Sequence, residues 1–124
     1  MREDIAIVCN RRKVLWSPGC GSLTEICGGG TGLRNRKAVS RRYVRRAGNF
    51  VKNILGPQPW TSIMPTGGVS PTEENLRGWF NAGVTCVGMG SQMISSDILK
   101  SGDFAVLENR IKETLELIKE LMRE

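Results

Sequence analysis

At 124 residues, 40% of them hydrophobic, the chain has room for one domain with its own core, and no stretch approaches the length of a membrane span. The absence of histidine removes the commonest zinc ligand, the usual general base and the Ser–His and Cys–His nucleophile pairs. The net charge of +6 is local: seven of the eighteen Lys and Arg residues fall at 28–50, where there is no acid, and the other eleven face twelve carboxylates.

The start, Met1-Arg2-Glu3-Asp4, lacks the pattern of a secretory signal, so the expected compartment is the cytoplasm. Cys9, Cys20, Cys27 and Cys86 are scattered, with no Cys-x-x-Cys pair and no metal-ligand spacing. Cys20 follows a turn, as a nucleophile can, but without a histidine it reads as a half-buried thiol.

In chain order, Asp4 to Asn10 suits a short helix or the end of one. Lys13-Val14-Leu15-Trp16 reads as a strand closed by the turn Ser17-Pro18-Gly19. Ser22 with Glu25 forms a capping box, which predicts a helix with Leu23 and Ile26 as its first inward residues. That helix runs at once into Gly28-Gly29-Gly30 and Gly32, each costing about 1 kcal/mol relative to alanine in a helix. A signalled helix that fails after one turn is a conflict between levels of the sequence.

From residue 50 the local signals agree again. Trp60 to Met64 is strand-like and Pro65-Thr66-Gly67-Gly68 is a tight loop. Ser70 and Glu73 form a second capping box around Pro71, and the helix it opens points Leu76, Trp79 and Phe80 inward and stops at Gly83. Val84 to Val87 reads as a buried strand and Gly88-Met89-Gly90-Ser91 as its loop, with a short helix starting near Ser95 or Ser96 and covering Ile98 and Leu99. Asp103 caps a long final helix, on which Phe104, Leu107, Ile111, Leu115, Ile118 and Met122 recur at three- and four-residue spacing. Strand, helix, strand, helix implies an α/β fold of parallel strands joined by right-handed crossovers.

Two consecutive strands thus end in glycine-rich loops. In a parallel fold both emerge at the carboxyl end, where glycine lets backbone N–H groups approach an anion. Either loop alone would read as a turn; two in succession point to a phosphate.

Leu15-Trp16-Ser17-Pro18-Gly19-Cys20-Gly21-Ser22-Leu23-Thr24-Glu25, Met64-Pro65-Thr66-Gly67-Gly68-Val69 and Val87-Gly88-Met89-Gly90-Ser91 resemble successive strand-end motifs of the bacterial 2-keto-3-deoxy-6-phosphogluconate and 4-hydroxy-2-oxoglutarate aldolases. The resemblance covers residues 3–27 and 50–124 in family order. It implies the C-terminal half of a TIM-type (β/α)8 barrel, a fold that takes about 200 residues or more when complete. It further implies a class I aldolase, metal-independent and without a cofactor, trimeric when intact. Such an enzyme attacks the ketone of a phosphorylated keto sugar acid with a lysine, releases glyceraldehyde 3-phosphate and hydrolyses the remaining pyruvate imine. Residue by residue, Gly67, Gly68 and Ser91 would hold the substrate phosphate, while Thr66 and Pro18 would border its keto-acid end.

The chain departs from that pattern in two places. The family's general-base glutamate and carboxylate-binding arginine belong to the N-terminal half, which these residues do not match. Its Schiff-base lysine belongs in a string Lys-x-Phe-Pro between Cys27 and Phe50, where this chain has the basic, glycine-rich segment instead. Read one base later in each codon, Gly28 to Arg41 can encode Ala-Glu-Glu-Leu-Gly-Cys-Glu-Ile-Val-Lys-Leu-Phe-Pro-Gly, which contains the missing string. Residues 28–49 are therefore expected to be a frame-shifted, disordered stretch within a single partial-barrel domain, and the chain an inactive fragment. Lys37 is the one catalytic candidate left, against the ordinary reading of a solvated lysine among arginines. A rival reading makes residues 34–46 a nucleic-acid-binding module, but Tyr43 is the sole aromatic nearby for stacking bases. A third makes the chain a non-catalytic phosphosugar-binding domain.

Overall fold

The computed structural model describes residues 3–14, 17–20, 22–27, 36–40 and 47–123. It is an α/β structure built on a three-stranded parallel sheet in the order β1-β2-β3, with β1 at Gly19–Cys20, β2 at Arg36–Ser40 and β3 at Ser62–Thr66. The register pairs Gly19 with Ala38, Cys20 with Val39, and each residue of β2 with its counterpart from Ser62 to Thr66. Among the described residues the sheet is open and does not close into a barrel.

Helix α1, Glu3–Arg11, covers the stretch where helix was expected. It ends in a Schellman arrangement in which Lys13 N–H donates to Asn10 and Val14 N–H to Cys9, with Lys13 at φ 56° where glycine is usual. The strand expected at 13–16 lies elsewhere: Lys13 and Val14 close the helix, Leu15 and Trp16 fall outside the described residues, and β1 occupies part of the expected turn. Pairing with Ala38 and Val39 decides this, because a strand exists only where it has a partner.

The first capping box forms as predicted. Ser22 N–H and Oγ both meet Glu25 Oε2, at 2.9 and 3.0 Å, and Glu25 N–H donates to Ser22 Oγ at 3.3 Å. It opens helix α2, Leu23–Cys27, which buries Ile26 completely. The expected failure at residues 28–35 falls outside the described residues. Residues 36–40, however, lie inside the stretch expected to be disordered and form β2, the middle strand of the sheet.

Helix α3, Ala47–Leu55, follows and had no counterpart in the sequence reading. Phe50, Val51, Ile54 and Leu55 fall on one side of it; Val51 and Ile54 are buried, and Gly56-Pro57 stops it. Strand β3 then runs two residues past the expected Met64, through Pro65 and Thr66. Ile63 and Pro65 are buried on one side of the strand, while Ser62, Met64 and Thr66 are only half-buried on the other.

Helix α4, Glu73–Asn81, starts later than predicted, with Thr72 at the N-cap and no side-chain cap. The Ser70–Glu73 box does not form because Ser70 N–H is taken by the side chain of Asn75. The far end is as expected: Gly83, at φ 93°, completes a Schellman turn with Gly83 N–H on Phe80 and Val84 N–H on Trp79. A Cβ on Gly83 would also lie 2.7 Å from the tip of Leu55 of α3, which would have to shift, so the positive φ is the stronger demand for glycine.

The strand expected at 84–87 is reduced to two hydrogen bonds and one bridge. Thr85 N–H donates to Ile63 and Gly88 N–H to Pro65, so three steps here answer two on β3. That extra residue is the signature of a bulge, and it stops a regular ladder from forming. Helix α5, Ser96–Ser101, and helix α6, Phe104–Leu121, complete the order, and Asp103 caps α6 by accepting from Val106 N–H.

The inward face read for α6 is only partly right. Leu107 and Ile118 are at least half-buried, but Phe104, Ile111, Leu115 and Met122 are exposed. Helix α6 meets α4 and α5; Leu117, Ile118 and Leu121 pack against the core, and Thr114 is buried on the same helix. Thr114 is tolerated there because its hydroxyl donates to Arg110 O at 2.7 Å.

The core joins Ile26, Val51, Ile54, Ile63, Leu76, Trp79 and Val84, which ties α2, α3 and α4 to one side of β3. Leu76 has no exposed surface and Leu99 is 63% exposed. Leu76→Ala should therefore lower stability by about 2–5 kcal/mol and Leu99→Ala by about 0.5 kcal/mol or less, measured by urea unfolding. Equal losses would mean that this core is misplaced.

Candidate functional site

The two glycine loops meet at the carboxyl end of β3. Thr66 is the last residue of the strand, Gly67 and Gly68 follow it, and Gly88 opens the second loop as the parallel bridge partner of Thr66. The contact is close. A Cβ on Gly88 would sit 2.9 Å from Thr66 Cγ2 and 3.5 Å from Pro65 O, so a larger residue there must displace the Thr66 methyl, and the Gly88 N–H reaches Pro65 O at 2.9 Å.

The first loop turns through two successive left-handed residues, Gly67 at φ 78° and Gly68 at φ 75°. An L-residue at either position would cost about 1–2 kcal/mol. The loop is then held at three points. Val69 is buried in the core, Ser70 N–H donates to Asn75 Oδ1 at 3.0 Å, and Asn75 Nδ2 donates to Gly68 O at 3.3 Å. Gly67 is exposed and Gly68 half-exposed.

The second loop leaves Gly88 through Met89 and Gly90 to Ser91, which is exposed. Met93 and Ile94 both donate N–H to Gly90 O at 2.9 Å, closing a turn around Ser91. Met93 is buried, and Arg110 of α6 reaches its carbonyl at 3.4 Å. Gly67, Gly68, Thr66 and Ser91 thus follow adjacent parallel segments at the same end of the sheet.

Pro18 and Lys37 sit lower. Extending the register by one residue sets Pro18 beside Lys37, which pairs with Ile63, while Thr66 pairs with Ser40. Three residues along parallel strands is about 10 Å. The sheet therefore brings Pro18 and Lys37 side by side and leaves Thr66 at another level. Pro18 is buried, and its carbonyl accepts the Cys20 thiol at 3.7 Å. Cys20 is itself buried, deeper than the half-burial its sequence context suggested. Asn75 was not among the residues singled out from the sequence; its place three residues into a helix after a glycine turn was the available signal.

Among the described residues no group of three or more Cys, Asp or Glu is placed to hold a metal ion. A shallow cavity of about 360 Å³ lies along the exposed side of α6, lined by Phe104, Leu107, Glu108, Ile111 and Lys112, and includes none of these site residues. No described helix is long and apolar enough to cross a membrane.

The family profile described as "KDPG and KHG aldolase" matches residues 1–110. Among solved structures the chain is similar to one described as "Native KDPGal structure", with a TM-score of 0.79 at 16% sequence identity; the alignment covers 100% of this chain and 57% of that one. The chain thus spans little more than half the length of that structure, and at this identity the likeness speaks for the fold. A comparison with curated proteins gives no match.

The close approach of Gly88 to Thr66 generates a direct test. Gly88→Ala should force the segment away from β3, with loss of hydrogen-exchange protection at the residue 88 amide and a destabilisation of about 1–3 kcal/mol. Unchanged protection at that amide would mean that the two loops are not joined in this way.

Proposed function

The chain belongs to the KDPG and KHG aldolase family, and on that premise we propose that it is the C-terminal half of a (β/α)8 barrel that retains the phosphate end of an aldolase site. The substrate class is a phosphorylated 2-keto sugar acid, 2-keto-3-deoxy-6-phosphogluconate by the family pattern. The observation that carries the reading is the Thr66–Gly88 bridge, which roots both glycine loops at one end of the parallel sheet. There the N–H groups of Gly67 and Gly68 and the hydroxyl of Ser91 would supply donors to phosphate oxygens. Thr66, on the half-exposed side of β3, would border the rest of the substrate.

The covalent step would need a group that these loops do not contain. Cleavage of such a substrate needs an amine that condenses with the ketone, expelling water, so that the imine can take up the electron pair of the breaking C–C bond. Lys37 is the only candidate from the sequence, and it stands in β2 about 10 Å along the sheet from the level of Thr66. The sequence holds no Lys-x-Phe-Pro string. A retained phosphate site with incomplete covalent machinery accounts for both facts.

Such a cradle works through backbone N–H groups and one hydroxyl, so it should not depend on the basic segment. Calorimetric titration with glyceraldehyde 3-phosphate should show binding by the unaltered chain. Gly68→Val, whose side chain fills the cradle and resists a positive φ, should weaken it by about tenfold or more. A variant with Arg41, Arg42, Arg45 and Arg46 all changed to serine should keep it. If the arginine variant loses binding while Gly68→Val keeps it, the two loops are ordinary turns and the phosphate belongs to the basic segment.

A further inference from the structure

The turn that would meet the phosphate is built from the residue type least able to hold its own shape. Gly67 and Gly68 both lie at positive φ, and glycine populates either sign of φ with little preference, so nothing in the turn itself fixes which way its peptide planes face. The choice matters. A plane facing one way offers an N–H to an anion; turned over, it offers a carbonyl oxygen that repels one. Something outside the turn has to select between them.

Asn75 is placed to do so. It is the third residue of α4, half-buried, and its amide group makes two hydrogen bonds of opposite sense to the loop. Oδ1 accepts from Ser70 N–H at 3.0 Å and Nδ2 donates to Gly68 O at 3.3 Å. The partners fix the orientation of the amide, since an N–H needs the oxygen and a carbonyl needs the NH₂. Aspartate has no donor at neutral pH, and alanine has neither group. The bond to Gly68 O draws that carbonyl toward α4, and with Val69 buried next to it the Gly68–Val69 peptide is held at both ends.

We propose that Asn75 is the positioning residue of the phosphate loop: by pinning the Gly68 carbonyl against α4 it keeps that oxygen out of the cradle and fixes the peptide that ends the turn, so that the N–H groups of Gly67 and Gly68 before it stay turned to meet an anion. The inference rests on the phosphate reading of this loop. The side chain need not touch the ligand; it acts through the backbone.

Inorganic phosphate is the probe, titrated by calorimetry against the whole chain and against Asn75→Ala and Asn75→Asp, with each affinity expressed per folded molecule. Asn75→Ala should bind about tenfold more weakly, the worth of one buried hydrogen bond. Asn75→Asp keeps the acceptor for Ser70 N–H but loses the donor to Gly68 O, so at neutral pH it should be at least as weak. Near pH 4, where a carboxyl group takes up a proton and can donate again, its affinity should climb back toward that of the unaltered chain at the same pH. A role confined to packing would not produce that pH-dependent rescue. If the unaltered chain binds and both variants bind equally well at every pH, Asn75 does not position the loop while the phosphate site stands. Weakening without recovery at low pH overturns the proposed donor role. If the unaltered chain does not bind, the phosphate reading falls and takes this inference with it.

Discussion

Two hydrogen bonds, Thr85 N–H to Ile63 O and Gly88 N–H to Pro65 O, fasten the chain beyond α4 to the edge of β3. Each is an ordinary backbone bond, worth about 1 kcal/mol net. Their importance is positional, because the Thr66–Gly88 bridge they frame is the point where both glycine loops begin. Without it Ser91 would have no fixed relation to Gly67 and Gly68. The bond to Pro65 also explains why a proline is tolerated inside β3: on this edge the strand contributes its carbonyl, and the N–H that proline lacks is not called for.

That edge contact is supported from behind. Ile63 and Pro65 are buried on one side of β3, and Ile63 packs into the core with Val51 and Ile54 of α3 and Leu76 and Trp79 of α4. The side carrying Ser62, Met64 and Thr66 stays partly open. Burial of four or five large side chains, each worth about 1.5–3 kcal/mol against exposure, anchors the strand from one side only. A backbone cradle at the end of such a strand needs no charged side chain, which separates it physically from the arginine-rich segment. The latter would attract any phosphate through screened, salt-sensitive charge.

What the sequence made legible was what local chemistry decides. The Ser22–Glu25 box, the Gly83 stop and the Asp103 cap each rest on groups within five residues of one another, and each appears in the structure. Where long-range partners decide, the reading slipped. Ser70 and Thr72 both suit an N-cap; the claim of Asn75 on Ser70 N–H settles it, and a sequence does not show that bond in advance. Residues 84–87 have the composition of a buried strand, but the extra residue against β3 breaks the ladder. On α6 apolar residues fall on two overlapping faces, and only the packing of α4 and α5 selects Leu117, Ile118 and Leu121 over Phe104, Ile111 and Leu115. Helix α3 shows in the sequence only as the spacing of Phe50, Val51, Ile54 and Leu55, with no capping box to mark its start. The motifs at 64–69 and 87–91 carried the family correctly, since positive φ at Gly67 and Gly68 is a demand that glycine meets and that shows in the sequence as glycine.

The central claim is that a phosphorylated ligand is held by the two glycine loops. The most direct measurement is an amide chemical-shift map of the unaltered chain on addition of glyceraldehyde 3-phosphate. The account predicts the largest shifts at the amides of Gly67, Gly68 and Ser91, saturating together with one affinity. Shifts confined to residues 34–46, with those three amides unmoved, would contradict it.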